Sequence, residues 1–238
     1  MKARALFYIY ILVSVLPSYG QTEHASYGFK GRVKSVIYYI YQDVNLDKNG
    51  NLIDAKIIDA KVQPFIERGM YFDKKGSIDS TIEVLSEGRF YEKYITYHSH
   101  IGNKLRSTIK YRYYLNDVID ETKYTWSESN TKCSFKGKGI ASFTRGHRIF
   151  SYNHRESRGE YIQETKKGEL LLKESYKNEF DDNWNLVKTN YTNSEKGDYT
   201  ILYEYDELDE IGNYTQVKLI YEDSKKLQRF IQKAFTYY

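Results

Sequence analysis

The sequence predicts an all-β chain assembled from a repeated β-hairpin, and three observations lead there. The chain of 238 residues carries 26 tyrosines and only two prolines. A turn motif returns about every 27 residues, and the segments between turns alternate apolar and polar side chains. Tyrosine, with Thr, Ile and Val, favours strands because large side chains cover a half-buried pleated face. Two prolines are too few for a linker-rich chain.

From the N-terminus, Lys2 and Arg4 precede an apolar run from Ala5 to Leu16, broken by Ser14 and followed by Pro17-Ser18-Tyr19-Gly20. This is the order of a signal peptide, with cleavage expected before Gln21. Residues 1–20 are then a leader and residues 21–238 a single repeat domain, expected in the periplasm or outside the cell. The alternative is an uncleaved anchor, although the run is shorter than the roughly 20 residues of a spanning helix. Mean hydropathy is -0.70, and the mature chain is not expected to span a membrane. A net charge of +4 with acids and bases intermixed gives no clustered basic face for nucleic acid.

The motif is an aromatic residue or Leu, then Asp, two variable residues, Gly, Asn and an apolar residue. It occurs with Asp47, Gly50 and Asn51, with Asp73 and Gly76, and with Asp209, Gly212 and Asn213. Gly102 and Asn103 preserve its second half, and Phe180-Asp181-Asp182-Asn183-Trp184 replaces Gly with Trp. Counted at the motif's Gly position, the copies fall at 50, 76, 102, 184 and 212. Worn copies are therefore expected near residues 129 and 157, giving seven copies. A second turn signal falls half a period later, at 87–88, 116–117, 167–168, 196–197 and 223–224. Tight hairpin loops require positive φ, which Gly, Asn and Asp tolerate best.

Between turns, Ile109, Tyr111, Tyr113 and Leu115 share one face, with Lys110 and Arg112 on the other. Tyr199, Ile201, Tyr203 and Tyr205 do the same against Thr200, Glu204 and Asp206. Period-two alternation is the mark of a half-buried strand. The fold expected is an antiparallel meander of repeated β-hairpins forming a curled open sheet with tyrosines inside, the alternative being a closed barrel.

Tyr203-Glu204-Tyr205-Asp206 before Gly212-Asn213, and Tyr71-Phe72-Asp73 before Gly76, resemble the tyrosine-aspartate (YD) repeats of the Rhs family. Residues 29–36, Phe-Lys-Gly-Arg-Val-Lys-Ser-Val, resemble the start of exported YD-like proteins common in Bacteroidetes. The resemblance implies a β-strand shell or sheet and, by analogy, sugar binding. It transfers no catalytic residue.

Sites are sparse. Residues 43–50 set oxygen side chains at alternate positions, but the bidentate Glu of a calcium loop is replaced by Lys56, and an Asn-Gly turn accounts for them. His98 and His100 share one strand face without a third ligand nearby and read as solvated histidines. Cys133, the single cysteine, forms no intramolecular disulfide and reads as a small buried residue. The acids Glu204, Asp206, Glu207, Asp209 and Glu210 could supply the carboxylate pair of a polysaccharide hydrolase, yet acids at strand ends are ordinarily solvated. No catalytic residue, metal or cofactor is assigned. The candidate ligand-stacking aromatics are Tyr38, Tyr111, Tyr113, Trp126, Tyr203 and Tyr205, which could equally form the core.

The expected function is a non-enzymatic module outside the cytoplasm binding a surface glycan or an envelope protein. The alternatives are an outer-membrane β-barrel, suggested by strand lengths and the aromatic end Tyr237-Tyr238, and a polysaccharide hydrolase.

Overall fold

A computed structural model describes residues 29–238 apart from 43–44, 47–51, 55–56, 59–60, 63, 65, 88–89, 103, 128–130 and 152–153. The signal-peptide reading and the turn residues Asp47, Gly50, Asn51 and Asn103 lie outside the described residues.

After β1 (Val33–Gln42), the connection to the next long strand holds two short ladders, β2 (Asn45–Leu46) with β3 (Leu52–Asp54) and β4 (Ile57–Ile58) with β5 (Lys61–Val62). Then follow β6 (Ile66–Phe72), β7 (Ile78–Glu87), β8 (Phe90–Ile101), β9 (Lys104–Arg112), β10 (Asp117–Trp126) and β11 (Lys132–Gly139). The remainder comprises β12 (Ser142–Ser151), β13 (Glu156–Thr165), β14 (Leu170–Phe180), β15 (Leu186–Asn193), β16 (Gly197–Leu208), β17 (Tyr214–Tyr221) and β18 (Leu227–Tyr237).

Among the described residues, β1 and β6 to β18 pair in sequence order and close into a 14-strand antiparallel barrel. Closure corrects the expectation of an open sheet. β1 pairs with β18 from Val33↔Tyr237 to Gln42↔Arg229, so the first and last strands satisfy each other's edges. An open sheet would leave those N–H and C=O rows unpaired, and accumulated twist brings so wide a sheet round on itself.

The repeat sets the barrel's period: two strands and one turn at each rim. The first rim carries the motif turns. Asp73, Asp181 and Asp209 build the same loop, each carboxylate accepting from the backbone N–H groups two and four residues on. The residue three after each Asp has positive φ: Gly76 at 85°, Trp184 at 63° and Gly212 at 88°. Gly102 (φ 59°) turns at the same rim. Near 129, the Ser127 hydroxyl accepts from the Lys132 N–H across the β10–β11 turn. The copy expected at 157 is displaced. Ser157, Arg158 and Gly159 lie within β13, and the turn precedes them, with Arg155 at φ 49°. The second rim carries the half-period turns, with Asn116, Gly168, Gly197 and Lys225 at positive φ.

Two packed clusters hold one flank. Ile40, Ile66, Tyr191, Ile201, Val217, Leu219 and Ile231 form the larger, across β1, β6 and β15 to β18. Phe29, Val33, Val36, Met70, Phe72 and Ile78 form the smaller, near the first rim. Asn213 ties the chain start to this end. Its amide oxygen accepts from the Lys30 N–H at 2.6 Å, and its amide nitrogen donates to the Tyr237 hydroxyl, also at 2.6 Å. The Tyr237 hydroxyl in turn donates to Asp209.

Candidate functional site

Strand alternation divides the side chains between lumen and exterior, and the two faces are chemically distinct. From β10 to β17 the exterior is charged. Outward Arg145 bonds Glu164 at 2.9 Å, Lys177 bonds Glu156 at 2.7 Å and Lys188 bonds Glu222 at 3.0 Å. Lys136 and Lys138 are exposed on the same face. Charged side chains facing mid-bilayer lipid cost about 2–4 kcal/mol each for Arg or Lys, so this arc would be costly to place against the middle of a bilayer. The exterior of β7 to β9 is apolar and aromatic by contrast, with Ile82, Val84, Ile95, Ile109 and a Tyr97–Tyr111 pair whose rings lie 5.9 Å apart.

The lumen is not an even tyrosine core. Lys110 and Arg112 point inward and Tyr111 outward, the reverse of the facing expected for β9. The inversion has a partner: Glu83 on β7 is buried with Arg68 of β6 and Lys110, both in ion-pair contact and the Lys110 amine at 2.6 Å. Burial alone would push the Glu83 carboxyl up, and the two cations together hold it below the usual carboxylate range. The Lys110 amine also lies 4.7 Å from the Tyr94 ring centre, a cation–π distance. On β16 the expected facing holds, with Ile201 buried and Tyr203 and Tyr205 directed into the lumen.

Beside the Glu83 cluster the lumen opens into a cavity of about 370 Å³ at the second rim. Tyr94, Lys110, Arg112 and Asp120 line one wall, and Ser142, Thr144, Tyr161 and Gln163 the other. Gly139 and Ala141 keep part of the lining small, and two glycines elsewhere on β11 and β13 are held by close packing. A Cβ added to Gly137 would sit 2.2 Å from the Thr144 hydroxyl, and one added to Gly159 would meet the Tyr176 ring at 2.7 Å. The buried Arg112 Nε has no hydrogen-bond partner among the described residues.

A second, smaller cavity of about 170 Å³ lies toward the first rim, lined by Tyr38, Tyr205, Trp184, Phe235 and Lys233. The Lys233 amine stands 5.5 Å from the Tyr205 ring centre and 6.0 Å from that of Tyr38.

The structure splits the six candidate aromatics. Tyr38, Tyr203 and Tyr205 converge on the smaller cavity. Trp126 is on the lumen face of β10, its ring N–H donating to the Leu105 carbonyl at 2.9 Å. Tyr111 is on the exterior, and Tyr113 packs in the β9–β10 turn against Tyr114 and the Lys93 amine. The turn residues Asp73, Gly76, Gly102, Asp209, Gly212 and Asn213 occupy first-rim turns.

His98 faces inward rather than into solvent. Its Nε2 is 3.0 Å from the Thr81 hydroxyl, and burial, with the neighbouring His100, lowers its pKa to about 4. Among the described residues no group of three or more His, Cys, Asp or Glu could hold a metal. Cys133 is buried, and burial raises its thiol pKa to about 11. The 204–210 acids do not converge: Glu204, Glu207 and Glu210 are exposed, Asp206 pairs with Lys218 outside the barrel, and Asp209 builds its turn. Arg68, Glu83, Lys110, Arg112, Asp120, Tyr161 and Lys233 escaped the sequence reading. For all but Tyr161 the one signal is charge on an alternating strand, which ordinarily marks a solvent face.

No family model matches the chain, and no curated protein matches it in sequence. Among solved structures it is similar to a porin-like protein from Bacteroides vulgatus, at 10% identity, over 87% of this chain and 98% of that one, with a TM-score of 0.40. A porin-like protein from Bacteroides uniformis gives 8% identity, 87% and 99% coverage and a TM-score of 0.44. TcdB2-TccC3 gives 12% identity over 78% of this chain and 13% of that one, with a TM-score of 0.27. Independently of these likenesses, the described residues form a closed antiparallel β-barrel with a polar, tyrosine-rich lumen.

Proposed function

We propose that this protein is an exported, non-enzymatic β-barrel that binds an acidic saccharide in the cavity at its second rim. The observation carrying the proposal is that cavity itself, about 370 Å³ with aromatic walls and convergent polar groups. This is the form of a small-molecule site. Tyr94 and Tyr161 offer rings to the apolar faces of a sugar, Ser142, Thr144 and Gln163 offer hydrogen bonds to its hydroxyls, and Arg112 offers a charge to a carboxylate. Binding to an envelope glycan fits the leader expected at residues 1–20.

The test is titration of the purified mature chain with a uronic-acid oligosaccharide and its neutral counterpart. The acidic sugar should bind at least tenfold tighter, and Arg112→Met should abolish the difference. Equal affinity for both sugars, or none for either, would sink the proposal.

A second reading, an outer-membrane barrel, is favoured by closure and by the apolar exterior of β7 to β9. It requires a lipid-facing apolar band on every strand, which the charged exterior of β10 to β17 does not provide. Carbonate-resistant retention in the membrane fraction would favour that reading over a barrel standing in water.

A further inference from the structure

The two ends of the lumen differ in how their cations are satisfied. At the second rim Lys110 and Arg68 share Glu83. At the first rim Lys233 extends from β18 between Tyr38 and Tyr205, and its amine has no hydrogen-bond or ion-pair partner among the described residues. Ring faces stabilise an ammonium by about 0.5–2 kcal/mol, less than the several kcal/mol that removing an ion from water costs. Burial accordingly lowers the Lys233 pKa to about 8, with no acid contributing to the shift. Lys233 is half-buried, a charge drawn even partly out of water is costly unless it is paired, and the space beside it is open.

That space suits a particular occupant. At about 170 Å³ it is close to the roughly 150 Å³ apolar cavity that accommodates benzene. Tyr38, Tyr205, Phe235 and Trp184 supply the aromatic wall, and Val217 and Ile231 the floor. We propose that the first-rim cavity binds a single-ring aromatic carboxylate, its ring among these side chains and its carboxylate on the Lys233 ammonium. The site is separate from the saccharide cavity in both position and lining residues, so either can fail without the other.

The experiment is titration of the full mature chain with benzoate, following Trp184 and total tryptophan fluorescence together with calorimetry. Benzyl alcohol and benzylamine serve as neutral and cationic controls of the same size. At pH 6.5 benzoate should bind at least tenfold tighter than benzyl alcohol, and benzylamine should not bind. Benzoate affinity should fall about tenfold from pH 7 to pH 9 as the ammonium loses its proton, while that of benzyl alcohol stays flat. Lys233→Met keeps the side chain's length, removes the charge, and should bind benzoate no better than benzyl alcohol. Should that variant not fold, the pH dependence of the native chain still decides. Indifference to ligand charge, a flat pH profile or no benzoate binding at millimolar concentration would each overturn the site.

Discussion

Strands β9 and β16 carry the same alternation and face opposite ways. In β16 the aromatic row, Tyr199, Ile201, Tyr203 and Tyr205, turns into the lumen and the polar row into water. In β9 the aromatic Tyr111 turns outward, and Lys110 and Arg112 fill the lumen. Alternation fixes the period of a strand, whereas the side that is buried depends on the partners the barrel brings to each face. β16 lies between β15 and β17, whose inward residues are Tyr191, Val217 and Leu219, so an aromatic row completes an apolar cluster. β9 lies near β7, whose inward Glu83 needs cations, so a basic row completes a charged one.

If this account of β9 holds, removing the shared anion should have the largest effect. Glu83→Ala leaves Arg68 and Lys110 buried without their common partner. Breaking a buried ion pair from one side costs about 3–5 kcal/mol, and urea unfolding should show a loss of that size. Glu83→Gln should recover only part of it, because an amide keeps hydrogen bonds without the charge. A loss below about 1 kcal/mol for Glu83→Ala would mean that water, rather than pairing, satisfies these cations.

The polar side of the lumen should also be visible through pH. His98 is held neutral: burial lowers its folded-state pKa to about 4 from an ordinary value of 6.5. As pH falls below 6.5 the unfolded chain takes up this proton before the folded chain does, so unfolding becomes more favourable. The associated stability is present above pH 6.5 and is lost progressively toward pH 4. At 1.36 kcal/mol per unit, about 2 kcal/mol should disappear between pH 7 and pH 5. His98→Gln should flatten that part of the stability curve relative to the native chain, and curves parallel at all pH values would show that His98 charges freely in the fold.

Much of the architecture was legible because it rests on local chemistry. Asp209 and Gly212 specify their turn mainly through two local backbone hydrogen bonds and one positive φ, to which Tyr237 adds a contact from β18. The same turn survives at Trp184 because Asp181 still organises it. Ser157-Arg158-Gly159 misled because Gly159 is required by a close approach of the Tyr176 ring within a ladder, not by a turn. Closure was not decidable from sequence, since pairing Val33 with Tyr237 spans almost the whole chain. The lumen cations were hidden for a related reason. Nothing near Lys110 in sequence announces Glu83, and nothing near Lys233 announces Tyr38.

The smallest expected effect isolates facing from composition. Tyr111 and Tyr203 are the same residue at matching places in the two patterns, so one substitution made at both compares the faces directly. Tyr203 is in the lumen, where the Thr189 hydroxyl donates to its phenol at 3.3 Å. Truncating a buried aromatic costs about 3–5 kcal/mol; Tyr203 is half-buried but packed against the larger cluster, so Tyr203→Ser should fall near the low end of that range. Tyr111 is on the exterior, and its ring neighbour Tyr97 is itself 53% exposed. Such a ring pair is worth about 0.5–1.5 kcal/mol beyond burial, so Tyr111→Ser should cost about 1 kcal/mol in the same unfolding experiment. Equal losses at the two positions would mean that Tyr111 is covered as fully as Tyr203. In that case the exterior of β7 to β9 does not stand in water, and the search for what covers it would begin with lipid.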